Sequence, residues 1–93
     1  MRAIYLKTIK RLQTALTELD AIDTANDLAA LHRFVVDLKT SLPERVSYEN
    51  SPLLLGGLRV TTVEAMPEYV ERLRARLQGL LEDYQGKAGS KSR

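Results

Sequence analysis

The chain has no cysteine and a single histidine, and aromatic residues make up only 5% of its 93 positions. The first absence excludes disulfides, thiolate nucleophiles and cysteine-based metal sites, and it suits a reducing compartment. The lone histidine, His32, has Leu28, Val35 and Val36 one turn away in a helical register. A catalytic triad needs a nucleophile and an orienting acid, and zinc needs three or four ligands. Neither constellation is spelled out, so His32 reads as a structural or surface residue, and no cofactor and no metal are expected. The scarcity of aromatics leaves no paired stacking platform for nucleic acid.

Long apolar runs are missing too. No stretch approaches the ~20 residues that span a bilayer, and "MRAIYLKTIKRLQ" lacks the uninterrupted apolar core of a signal peptide. The expectation is a cytoplasmic protein with no membrane partner. "GGL", Gly56 to Leu58, is not a phosphate loop, because the P-loop spacing and its lysine are absent. The 12 acidic residues include pairs such as Asp20 with Asp23 and Glu82 with Asp83. Such pairs arise readily on solvated helix faces and at helix ends, and nothing singles one out for acid–base work. The chain is not expected to be an enzyme.

What is present is the composition of a folded domain, 44% hydrophobic and 28% charged. Its length points to one domain with a modest core, for which association is a natural supplement. A formal charge of +2 with a pI of about 9.1 suggests an affinity for polyanions, but position corrects the impression. Lys87, Lys91 and Arg93 lie at the extreme C-terminus, whereas all 12 acids precede Gly86, so the body of the chain is close to neutral. The division expected is a helical domain over 1–86 and a flexible basic tail over 87–93.

Three segments carry helical periodicity. Tyr5, Ile9, Leu12, Leu16 and Leu19 alternate steps of four and three, the spacing of one helix face. That register meets Asn26 and Arg33 if continued, so the first helix must stop or shift near Ile22. In "DTAND", Asp23 or Thr24 can cap a second helix, with Asp27 completing a capping box. The second helix is expected from about Ala25 to Leu42, with Leu28, Leu31, Phe34, Val35, Leu38 and Leu42 inward and Pro43 as its stop. The short link favours an antiparallel hairpin, with a single kinked helix as the alternative. In the third helix Met66, Val70, Leu73, Leu77, Leu80 and Tyr84 form the seam, Pro67 falls in the first turn, and Gly86 is the expected terminator.

Between the second and third helices, Pro43 to Thr62 is too long for an unstructured connection inside a compact domain. "RVSYE" and "GLRVTT" alternate apolar and polar residues, which suits a short β element, while an extended strap fits equally. The architecture expected is therefore mainly α: a three-helix bundle, made of a helical hairpin plus a third long helix, with an ordered strap or short β element between helices 2 and 3.

Within that segment, Leu53, Leu54 and Leu55 cannot all point inward, because neighbouring side chains diverge in helix and strand alike. Gly56 and Gly57 permit a sharp bend or a close approach of backbone. The run is either a plug in the core or a docking loop. The docking reading makes Leu53, Leu54, Leu55 and Leu58 partner-binding residues of a non-enzymatic protein–protein interaction module: an adaptor, assembly factor or inhibitor. The alternative is a small nucleic-acid-associated regulator, with Lys7, Lys10 and Arg11 on the first helix, Arg72 and Arg76 on the third, and the basic tail against phosphates. Acids on the third helix and the lack of helix-turn-helix spacing count against it.

Narrow leucine seams on a small domain also predict self-association, with a homodimer as the expected form. Sedimentation equilibrium at tens of micromolar should give a mass above the 10.5 kDa of one chain, and a clean monomer would overturn the expectation.

Overall fold

A computed structural model describes residues 2–90, with side chains over 5–88. The described residues form five α-helices: α1 (Arg2–Asp20), α2 (Leu28–Ser41), α3 (Glu44–Glu49), α4 (Ser51–Leu58) and α5 (Met66–Ser90), the last entered through a 3-10 turn at Val63–Ala65. They contain no β-strand. The fold is mainly helical and compact.

α1 ends where its register fails. Ala21 and Ile22 donate to the carbonyls of Glu18 and Leu19, closing the last turn, and Asp23 then organises the link. Its carboxylate accepts from the backbone N–H of Ala25 at 2.9 Å and from the Asn26 amide at 3.2 Å, and these bonds hold its pKa below the usual carboxylate value. Asp23 does not cap α2, nor does Thr24. Asp27 does, accepting from the Ala30 N–H at 3.0 Å, so the helix starts three residues later than the Ala25 read from sequence. Pro43 ends α2 as expected.

α1 and α2 form the hairpin, and a kinked single helix is excluded. Arg11 near the middle of α1 donates through Nε to Ser41 Oγ at the far end of α2, 2.6 Å away. The larger partner of α1 is nevertheless α5. The two run antiparallel, with Tyr5 against Tyr84 at one end, ring centroids 5.8 Å apart, and Asp20 bonded to Arg74 at the other. The buried stripe of α1 is Thr8, Leu12, Ala15 and Leu19, whereas Ile9 and Leu16 lie on its flank, half-buried. The seam is thus rotated from the one that side-chain size alone selects. α2 contributes Leu31, Phe34, Val35 and Leu38 to the same core, and α5 contributes Met66, Val70, Leu73 and Leu77.

The segment over 43–62 is neither a strap nor a β element. Val46 and Tyr48 show why the alternation misled: a strand would place them on one face, but Val46 is 3% exposed and Tyr48 80%, opposite sides of a helix. Ser47 Oγ ties α3 to the end of α2 by donating to the Lys39 carbonyl at 2.6 Å. Asn50 separates α3 from α4, and Pro52 follows in the first turn of α4, where the donor that it lacks is least needed. Beyond α4, His32 Nε2 donates to the Val60 carbonyl at 2.7 Å and fixes the turn leading to α5. The carbonyl can only accept, so this ring nitrogen carries the proton.

The two glycines of α4 differ in kind. Gly57 is buried, and a Cβ placed on it would lie 2.5 Å from Tyr69 Oη and 2.7 Å from Val35 Cγ2, so only glycine lets α4 settle on α2 and α5 here. The same Tyr69 hydroxyl donates to the Leu53 carbonyl at 2.9 Å. At Gly56 the nearest atom is at ordinary contact distance, 3.9 Å.

α5 does not stop at Gly86. Tyr84 packs on Tyr5, Lys87 Nζ sits 4.8 Å above the Tyr84 ring, and Ala88 is buried. Those contacts outweigh the ~1 kcal/mol by which a helical glycine trails alanine. Residues 91–93 of the expected tail lie outside the described residues.

Gly57→Ala should lower stability by about 1–3 kcal/mol through overpacking. Gly86→Ala, where nothing lies within 4 Å of the added methyl, should raise it by about 0.5–1 kcal/mol. Thermal melts of the two variants must therefore move in opposite directions; an unshifted or stabilised Gly57→Ala would refute the close contact.

Burial pushes the Tyr69 phenol up to about 12, against the weaker downward pull of the Gly57 N–H and the Arg72 charge. A folded-state pKa above the unfolded value of ~10 means that the stabilisation is complete below pH ~10 and is lost as pH rises towards ~12. Phenolate absorbance should show a late titration step near pH 12, and Tyr69→Phe should remove it.

Candidate protein-interaction surface

Of the site residues read from sequence, the four leucines lie on α4, and its helical rotation sorts them. Leu54, 1% exposed, and Gly57 face the core. At about 100° per residue, Leu55 and Leu58 then fall on one flank, one turn apart, and Leu53 and Gly56 on the other. Leu55 and Leu58 are each 37% exposed, whereas Leu53 is half-buried against the core cluster. The leucine run is accordingly both plug and surface, divided residue by residue. Tyr48 on α3 is a further exposed apolar side chain that sequence reasoning missed, because nothing local distinguishes its outward placement from that of Val46.

The Leu53 flank opens onto a groove between α4 and the first turns of α5. Its volume is about 460 Å³, with Pro52, Leu53, Gly56, Val60, Tyr69 and Arg72 among its walls. It shares Pro52, Leu53 and Arg72 with a second depression that reaches Asn50 and Arg76, so the two form one trough. Asn50 is 7% exposed and fully engaged: its amide donates to the Val46 carbonyl at 2.8 Å, and its oxygen accepts from Arg76 Nε at 2.6 Å. Arg76 is thereby held by its inner edge. Neither Asn50 nor Tyr69 was singled out from sequence, although Tyr69 lies three residues after Met66 and four before Leu73, on the seam that the helical spacing defines.

The other basic residues go elsewhere. Lys7 and Arg11 line a groove of about 400 Å³ with Thr8, Ser41, Leu42 and Pro43, and Lys10 joins them in an adjoining depression with Thr14 and Glu18. Arg11 is occupied, bonded to Ser41 and paired with Glu18 at 3.4 Å. Arg72 and Arg76 line the α4–α5 trough and share no groove with Lys7, Lys10 and Arg11, so the two basic groups form no single cationic surface. Arg74 clamps α5 to α1: its bond to Asp20, seconded by Glu71, raises its pKa further.

Among the described residues no group of three or more His, Asp or Glu is placed to hold a metal ion, and no helix is long and apolar enough to cross a membrane. His32 is turned to the Val60 carbonyl rather than towards an acid or a nucleophile. What the geometry offers chemically is apolar contact on one flank of α4, and apolar contact flanked by guanidinium groups on the other. Comparison with known proteins adds no analogy: no family model, curated protein or solved structure matches the chain.

Proposed function

We propose that the chain is a non-enzymatic protein–protein interaction module, an adaptor, assembly factor or inhibitor, built on a bundle of three long helices and acting through the Leu55–Leu58 flank of α4. The observation that carries the reading is that these two leucines lie one turn apart on the same flank, each 37% exposed, while the neighbouring Leu54 is buried. Scattered apolar side chains are normal on any surface. Two on one turn make a denser feature. Full burial of a leucine is worth ~1.5–3 kcal/mol, so a partner that covers this flank recovers stabilisation the isolated fold leaves unused. A second copy of the chain is one such partner.

The nucleic-acid alternative draws less support. Arg11 and Arg76 each spend a donor inside the molecule, and the two basic groups line separate grooves. Salt separates the readings, since phosphate contacts weaken steeply as salt rises and a leucine-centred contact responds little.

Leu55→Asp combined with Leu58→Asp should leave helicity and melting temperature near wild type while abolishing capture of binding proteins from the native host. Leu54→Asp should instead unfold the chain by burying an unpaired carboxylate. Capture that survives the double change would sink the proposal.

A further inference from the structure

The trough on the opposite flank of α4 has a chemistry of its own. Its floor is apolar, made by Leu53, Gly56, Val60 and Tyr69, and its α5 wall carries Arg72 and Arg76 one turn apart. Among the described residues neither arginine belongs to an ion pair, although acids are close by. Glu49 is taken by Arg45 at 3.3 Å, Glu71 by Arg74, and Glu68, one turn before Arg72, lines the far end of the trough without pairing with it. Arg76 is also pre-oriented. The buried Asn50 oxygen holds Nε, which leaves the outer edge of the guanidinium to receive an acceptor. A guanidinium fixed in this way loses less side-chain entropy when it binds a carboxylate.

We propose that this trough binds a short acidic–apolar segment of another protein, with an apolar side chain on Leu53, Gly56 and Val60 and a carboxylate on Arg72 and Arg76. The shape suits a protein segment better than a small lipid-like acid. Pockets for small ligands enclose most of the ligand surface, and this trough lies open along the side of α4. The eight residues of α4 extend ~12 Å, the span of about four residues of extended chain. A nucleic acid fits poorly, because the Tyr69 ring is 6% exposed and the trough offers no aromatic face for base stacking. The inference is independent of the Leu55–Leu58 reading, which concerns the other flank.

The test is to pan a random-peptide phage library against the full chain. The expected outcome is enrichment of sequences that set Asp or Glu within a few positions of Leu, Ile or Phe, with NMR amide shifts on Leu53, Gly56 and Arg72 when a recovered peptide is added. Arg72→Gln should weaken these peptides about tenfold or more, the loss of a hydrogen bond to a charged group. Its melting temperature should be unchanged, because Arg72 makes no hydrogen bond or ion pair among the described residues. Failure to enrich any sequence, recovery of neutral or basic peptides, or undiminished binding by Arg72→Gln overturns the proposal. Peptides that map to Leu55 and Leu58 instead would uphold the other flank and overturn this one.

Discussion

The contact of Gly57 with Val35 and Tyr69 is the constraint on which the middle of the molecule depends. α4 is a short helix with no side-chain cap, and alone it would be marginal. It persists because its backbone comes close enough to α2 and α5 for the Tyr69 hydroxyl to reach the Leu53 carbonyl while Leu54 drops into the core. A side chain at position 57 would hold the helix away and loosen both. The same approach fixes the rotation of α4, and with it which leucines are covered and which face water.

Around that contact the chain is tied by polar bonds between its elements. His32 holds the Val60 carbonyl, Ser47 the Lys39 carbonyl, Arg76 the Asn50 amide, and Arg74 the Asp20 carboxylate. The first two occupy backbone carbonyls at or just beyond a helix end, and the last two tie side chains of α5 to Asn50 and to the end of α1. Among the described residues no buried side-chain nitrogen or oxygen is left without a partner. A domain of this size has little apolar area to spare, so satisfied junctions matter to whether its short helices keep their places.

The functional reading follows from the two flanks that the rotation of α4 creates. One is purely apolar and gains by being covered. The other combines an apolar floor with guanidinium groups that the fold does not neutralise.

The sequence by itself determined the three long helices, because a stripe repeating every three or four residues is a local property that only one backbone geometry satisfies. Proline marked the end of α2 and fell in the first turn of α5, again for local reasons. Tertiary structure decided the rest. Five residues of alternating polarity around Val46 and Tyr48 suit a strand or a helix, and it took the neighbouring α2 and α4 to select the helix. Gly86 looks like a stop in isolation, yet the packing of Tyr84 and Ala88 carries α5 past it. That at least one of Leu53, Leu54 and Leu55 must face outward was legible from geometry. Which one was not, because it depends on a contact between residues 35, 57 and 69 that no local pattern records.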